Sequence, residues 1–104
     1  MNPFRIQSGA SHQLDEIHAY TRKIWGQPQA DRYIHGLFDV FAAITERRIV
    51  WQPVPAEFGV TGYFCRYEKH FIDWKVLGDG SVGIVTILHE RMHQIDAFRE
   101  SPPV

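Results

Sequence analysis

The sequence has little of several features that mark particular classes of protein. A single cysteine, Cys65, stands in 104 residues, so no internal disulfide can form. This fits a reducing compartment, and we expect a cytoplasmic protein. The longest apolar run, at residues 82–88, is far shorter than the roughly 20 residues that span a bilayer. Residues 1–6 also lack the apolar core of a secretory signal, so we expect no contact with a membrane.

The sequence also lacks an excess of charge of either sign. Eleven Lys and Arg residues stand against 12 Asp and Glu residues, which gives a net charge of −1. Affinity for nucleic acids depends on neutralising phosphates, so we expect no direct nucleic-acid specificity. A hydrophobic content of 44% is enough for a core. The length predicts a single domain over residues 1–100, followed by a flexible tail at 101–104.

Two amphipathic stripes predict a pair of helices near the N-terminus. Gly26 separates the stripes and is suited to end the first helix, while Pro28 is suited to the first turn of the second. Each stripe places a residue of one face every three or four positions. The first comprises Ala10, Leu14, Ile17, Thr21 and Ile24, and the second comprises Ala30, Tyr33 with Ile34, Leu37, Phe41 and Ile44. A hairpin of two such helices needs a sheet on which to bury its apolar face.

The remaining segments predict that sheet. Residues 46–61, with Pro53 and Pro55, have no clear period and predict a long loop. A Gly-Asp-Gly turn at 78–80 precedes a nearly continuous apolar strand, for which we predict an interior position in the sheet. The predicted strands are 4–7, 63–67, 71–76 and 81–89. The order β-α-α-β-β-β indicates an α+β fold in which an N-terminal helical hairpin packs on one small, mostly antiparallel sheet.

The stretch HERMH at 89–93 matches the His-Glu-x-x-His pattern of zinc hydrolases. That chemistry requires both histidines on one face of a helix. The β-branched run before His89 predicts a strand instead, which would separate the two histidines by roughly 13 Å at about 3.3 Å per residue. Only eleven residues follow His93, which leaves little room for a third ligand. We therefore expect no metal and no other cofactor.

The ordered set of motifs resembles the ParE branch of the RelE/ParE toxin superfamily of bacterial type II toxin–antitoxin systems. The resemblance is strongest in Ile87-Leu88-His89-Glu90-Arg91-Met92-His93, which is similar to the family's Ile-Leu-His-x-Arg-Met-Asp. His93 departs from that pattern, and Gln13, expected to lie exposed on a helix, stands where an acid is usual. The other matching positions are Ala10, Leu14, Ile17, Tyr20-Thr21, Trp25-Gly26, Ala30, Tyr33 and Leu37.

The resemblance implies a toxin that inhibits DNA gyrase and is neutralised by a tightly bound, ParD-like antitoxin. On this reading the protein is a poison and not an enzyme. The family-like run near the C-terminus predicts that Arg91, Met92 and His93 contact the target. Aromatic residues are numerous for so small a core, so we predict an antitoxin-binding surface with internal packing as the alternative. Its predicted residues are Trp51, Phe58, Phe64, Arg66 and Trp74.

Two other functions stay open at this point. The RelE branch cleaves messenger RNA on the ribosome, which requires acid–base groups and cations around the scissile phosphate. If this chain were such a ribonuclease, the candidate catalytic residues would be Arg66, Lys69, His70 and Arg91. The second alternative is a non-toxic relic that still binds its antitoxin. The net charge of −1 and the ParE-like motifs favour the gyrase inhibitor over the ribonuclease.

Overall fold

The computed structural model describes residues 4–55 and 61–91, and it contains a helical hairpin on a five-stranded sheet. The helices are α1 (Ser8–Trp25) and α2 (Gln27–Thr45). The strands are β1 (Phe4–Ile6), β2 (Gln52–Pro53), β3 (Tyr63–Tyr67), β4 (His70–Val76) and β5 (Val82–His89). The predicted α+β fold is confirmed. None of the described helices is long and apolar enough to cross a membrane.

Both helices bury the stripes that the sequence predicts. Ala10, Leu14 and Ile17 are buried on α1, and Leu37 and Phe41 are buried on α2. Gly26 ends α1 with a positive φ of 95°, which favours glycine, and its N–H donates to the Arg22 carbonyl. Because α2 begins directly after Gly26, the two helices form a tight hairpin.

The sheet has the order β1-β5-β4-β3-β2, so β5 and β4 are interior strands. β1 pairs parallel with β5, and every other pair is antiparallel. The interior position predicted for the last strand is confirmed, although only Val82–Ile84 is buried without a break. The helices cover one face of the sheet, where Ile72, Trp74 and Ile84 join the main core. We call this side the helix face and the opposite side the open face, because neither α1 nor α2 covers it, although Phe64 and Phe71 are buried there.

The prediction of an unbroken loop over residues 46–61 was wrong at one point. Gln52 and Pro53 form the short strand β2, which pairs with Phe64 and Tyr63 at the start of β3. A strand of two residues gives no period in the sequence, and a proline argues against a strand except at a sheet edge. β2 is such an edge, so Pro53 is compatible with it.

Gln13 is not the inconsequential exposed residue that the sequence suggested. It is partly buried on α1, and its Oε1 accepts a hydrogen bond from the N–H of Ile87 at 2.7 Å. The partner strand β1 reaches only as far as Ile84 in the pairing with β5, so the amide of Ile87 lies beyond the end of β1. Gln13 therefore completes the hydrogen bonding of β5 from the helix.

We predict that Gln13→Ala destabilises the fold by about 1 kcal/mol, because it leaves the Ile87 amide without its acceptor. Gln13→Glu retains an acceptor oxygen at the same place and should cost less. Urea unfolding of the two variants measures the difference. Equal stability of Gln13→Ala and the unmodified protein would contradict the role assigned to this hydrogen bond.

Candidate functional site

Strand alternation divides the candidate residues between the two faces of the sheet. On β3 and β4, Tyr67 pairs with His70 and Arg66 pairs with Phe71. Successive side chains of a strand point to opposite faces, so Arg66 and His70 project in opposite directions. The contacts agree, since His70 meets Tyr33 of α2 while Arg66 lies over the ring of Phe71. His70 is on the helix face and Arg66 is on the open face.

Three residues on the helix face meet where the sheet ends, and we call them the sheet-end cluster: Tyr33, His70 and His89. Tyr33 Oη lies 2.6 Å from Nδ1 of His70. His70 opens β4 and pairs with His89, which closes β5, and the two rings meet edge to face at 5.6 Å. Nδ1 of His89 in turn accepts a 3.3 Å hydrogen bond from the N–H of Arg91. The cluster thus links α2 to the point where the chain leaves the sheet.

Burial determines the protonation of Tyr33 and His70 at neutral pH. It lowers the pKa of His70 to about 4, and the neighbouring His89 adds to that shift while Glu90 opposes it. Burial also raises the pKa of Tyr33 to about 12. The phenol is therefore protonated and His70 is neutral, so Tyr33 can donate its hydrogen to His70 Nδ1.

On the open face, Arg66 is held by two groups. Its Nε donates to the Glu68 carbonyl at 2.9 Å, and its Nη2 forms an ion pair with Glu90. The N–H of Glu90 donates to the Lys69 carbonyl, which extends the pairing of β4 and β5 past His89. Arg66 therefore has both a charge partner and a fixed position, and it is not poised as a free cation.

The structure does not bring the ribonuclease candidates together. Arg66 and His70 are separated by the sheet, His70 already shares its Nδ1 with Tyr33, and Arg66 is paired with Glu90. Lys69 is exposed in the turn between β3 and β4, and Arg91 is exposed past the end of β5. A general base and a cation that must act on one phosphate need to converge on a point a few ångströms across. Arg66 and His70, on opposite faces of the sheet, do not converge in this way.

The predicted antitoxin-binding aromatics differ in their surroundings. Trp74 is 1% exposed in the main core, and Phe64 is 5% exposed, packed with Phe71 and Val54. Both are packing residues in this structure, which is the alternative that the sequence left open for them. Trp51 is half-buried and donates its indole N–H to the Ile44 carbonyl. Phe58 lies outside the described residues.

Trp51 also has a cation above it. Arg47 adopts a positive φ of 61° after the end of α2, and the amides of Arg47 and Arg48 donate back to Ile44 and Ala43. This is the usual hydrogen-bond pattern of a helix that ends in a left-handed residue. It places the Arg47 guanidinium 3.5 Å from the centre of the Trp51 ring. Sequence reasoning missed this pair because glycine or asparagine, and not arginine, signals that conformation.

The target-contact residues can be placed only in part. Arg91 is exposed in a turn directly after β5, whereas Met92 and His93 lie outside the described residues. The prediction that the first half of HERMH is a strand end is confirmed, because His89 is the last residue of β5. Among residues 4–55 and 61–91 no group of three His, Cys, Asp or Glu side chains is arranged to hold a metal ion.

Tyr33 and Glu90 are site residues that the sequence did not assign. In the sequence, Tyr33 belongs to the apolar stripe of α2 and to the positions that resemble ParE, but its hydroxyl gives no separate signal. In the sequence, Glu90 stands in the middle of a zinc-like motif, which gives no sign of an ion pair. Its actual partner, Arg66, is 24 positions earlier in the chain. Only the pairing of β3 with β4 and of β4 with β5 brings the two together.

The sequence model described as "ParE toxin of type II toxin-antitoxin system, parDE" matches residues 4–94. The chain therefore belongs to the ParE toxin family.

Comparison with solved structures agrees on the fold. A chain of the structure titled "Chromosomal ParDE TA system from P. aeruginosa" superposes with a TM-score of 0.66 at 17% identity. The alignment covers 86% of this chain and 96% of that one, so the likeness extends over most of both chains. No curated protein matches the sequence significantly.

Proposed function

We propose that this chain is the toxin of a type II toxin–antitoxin pair, that it acts in the cytoplasm by inhibiting DNA gyrase, and that a ParD-like antitoxin neutralises it. Membership of the ParE toxin family is the observation that carries this proposal. The split of Arg66 and His70 between the two faces supports an inhibitor over an RNA-cleaving enzyme. In this proposal the toxin acts by binding, and it needs neither a metal nor a cofactor.

We place the antitoxin at the outer edge of β3 and on the open face beside it. β2 pairs only with Tyr63 and Phe64, so within the described part of the chain the edge of residues 65–67 has no partner strand. An extended peptide can add to such an edge through backbone hydrogen bonds. Arg66 projects from this segment, where it can exchange Glu90 for an acidic residue of the antitoxin. Trp51, with Arg47 above it, lies near the same edge but on the helix face, since its ring packs on Tyr63 and Trp74.

Hydrogen exchange on the free and antitoxin-bound toxin tests this placement. We expect the amides of residues 65–67 to gain protection on binding, because a new strand would give them partners. The amides of Ile72 and Ile87, in interior strands, serve as the control and should change little. Unchanged exchange throughout residues 51–75 would contradict the placement.

Pulse labelling after induction of the chain in a bacterial host without antitoxin tests the target. We expect DNA synthesis to fall within the first minutes while translation continues. An early fall in translation would instead support a messenger-RNA interferase. Unimpaired growth would identify a non-toxic relic, and in either case the gyrase proposal would be wrong.

We predict that Arg91→Ala lowers toxicity at least tenfold and leaves antitoxin affinity unchanged. Arg91 is exposed at the end of β5, and its backbone N–H, which bonds His89, is kept in the variant. A guanidinium at the centre of a protein interface commonly contributes this much. Lys75→Ala is the matched control, because it removes an exposed cation from a different strand, β4. Full toxicity of a folded Arg91→Ala protein would remove Arg91 from the target site.

A further inference from the structure

The helical hairpin continues well past the sheet that supports it. α1 runs alongside β5 in the same direction, since Gly9 lies beside the Val85 carbonyl and Gln13 bonds Ile87. Ile17 is the last buried residue of α1, and the ring contacts of α2 with the sheet begin at Tyr33. From Ile17 to the end of α1 the helix extends by about 12 Å at about 1.5 Å per residue. We call residues 18–32 the overhang.

The overhang presents large apolar side chains to solvent. Trp25 is 70% exposed, Tyr20 67% and Ile24 51%. Ile24 follows Ile17 by seven positions and so continues the stripe that is buried nearer the sheet. A tryptophan with this exposure contributes little packing to the fold and lowers the solubility of the protein. An exposed apolar patch of this kind, framed by polar residues, marks a binding surface.

The charges around this patch are positive. Arg22, Lys23 and Arg32 are exposed, and in the described part of the chain none of them has an ion-pair partner. Asp31, the nearby acid, is already engaged by His18 at 3.0 Å and by Gln27. The patch therefore complements an apolar pocket that is bordered by acidic groups.

The overhang and Arg91 belong to one end of the molecule. Tyr33 stands at the base of the overhang and is hydrogen-bonded to His70, and His70 meets His89, which bonds the amide of Arg91. These contacts tie the base of the overhang to the position at which Arg91 leaves the sheet. The antitoxin edge on β3 lies two strands away from β5, and its last residue, Tyr67, contacts Tyr33 at the base of the overhang.

We propose that the overhang is the main target-binding element of this toxin, with Trp25 as its apolar anchor and with a partner that is an acidic protein surface. This inference rests on the proposed function, because it extends the surface on which Arg91 was placed. Trp25 enters a pocket of the target, Tyr20 and Ile24 cover its rim, and the three cations pair with carboxylates. A protein partner is favoured over nucleic acid because Tyr20 and Ile24 add apolar surface. A protein pocket can bury that surface, whereas a phosphate backbone cannot.

Trp25→Ser tests the anchor. We expect at least a tenfold loss of growth arrest and of affinity for purified gyrase holoenzyme, with antitoxin affinity and melting temperature unchanged. Trp25→Phe should retain most of the growth arrest and most of the gyrase affinity, because it keeps an aromatic ring at this position. Val50→Ser is the matched control, since Val50 is 83% exposed but follows the far end of α2. Lys23→Glu should weaken target binding and reduce its salt dependence, whereas Lys75→Glu should not.

Other outcomes of the Trp25→Ser experiment would contradict the inference or the gyrase target. Unchanged growth arrest by folded Trp25→Ser would overturn the inference, and so would a loss confined to antitoxin affinity, which would assign the overhang to the antitoxin. Loss of affinity for a DNA duplex alone would make the surface a nucleic-acid site and overturn the protein partner. If growth arrest requires Trp25 but the unmodified protein does not bind gyrase, the surface stands and the gyrase target fails.

Discussion

Gly62→Ala is expected to destabilise the protein by about 3 kcal/mol or more, the largest effect we predict for a single substitution. Gly62 has a positive φ of 145°, a conformation that side chains strongly disfavour. A Cβ there would lie 2.8 Å from the backbone carbonyl oxygen of Trp74, which cannot move without disturbing β4. The Gly62 carbonyl also accepts the N–H of Val54, so strain at this point would loosen β2 from the sheet.

Thermal unfolding measures the effect, which corresponds to a fall in melting temperature of about 12 to 24 °C for a domain of this size. Two glycines of the β4–β5 turn provide a graded control. Gly80→Ala meets no atom but adopts a φ of 86°, so it should cost about 1 kcal/mol. Gly78→Ala has neither constraint and should change stability by less than about 0.5 kcal/mol. Equal melting temperatures for Gly62→Ala and Gly78→Ala would contradict the argument.

The predictable part of this fold is the part in which local pattern and tertiary environment agree. The stripe from Ala10 to Ile17 is apolar at helical spacing, and a sheet does cover it. Gly26 ends α1 because glycine adopts its positive φ at little cost. The strand through His89 was assigned against a competing zinc motif, because the β-branched run before it is unsuited to a metal-binding helix. In each case the same residues that signal the element also stabilise it.

The remainder depends on contacts between residues distant in sequence. Gln13 bonds Ile87 because β1 ends early, and no pattern near Gln13 reports the length of β1. Arg66 and His70 are four positions apart, and the sequence grouped them as catalytic candidates. The tight turn between β3 and β4 makes Arg66 pair with Phe71, which places Arg66 and His70 on opposite faces. A composition rich in aromatics likewise did not distinguish the core residue Trp74 from the exposed Trp25.

The second large effect is a loss of stability in acid that originates at His70. The folded-state pKa of His70, about 4, is below its ordinary value of 6.5, so the unfolded chain takes up a proton first as the pH falls. The contribution of neutral His70 to the free energy of unfolding is complete above about pH 6.5. It is lost as the pH falls from 6.5 to about 4, and no further loss from His70 follows below that. The whole pKa shift of His70 corresponds to a loss of about 3 kcal/mol in the free energy of unfolding. Because His70 is partly in contact with water, we expect a loss of about 2 kcal/mol.

Among the residues that the structure describes, the surroundings of His70 include no group that cancels this loss. Tyr33 and Tyr67 are neutral phenols at these pH values, and both have a pKa that burial raises further. His89, across the β4–β5 pair, also disfavours a positive charge on His70. Glu90 is the one facing acid among the causes of the shift, and its carboxylate is already paired with Arg66. A proton on His70 Nδ1 would also take the place of the one that Tyr33 donates.

Urea unfolding of the unmodified protein and of His70→Gln between pH 7.5 and 4 measures this contribution. The glutamine can still accept the Tyr33 hydroxyl but does not titrate, so the His70→Gln protein should lose about 2 kcal/mol less on acidification. His12→Gln, which removes an exposed histidine of α1, should leave the pH profile unchanged. Tyr33→Phe should cost about 1 kcal/mol at pH 7 and keep most of the acid-dependent loss, because burial is the first cause of the shift. Parallel profiles for His70→Gln and the unmodified protein would place the acid sensitivity elsewhere in the chain.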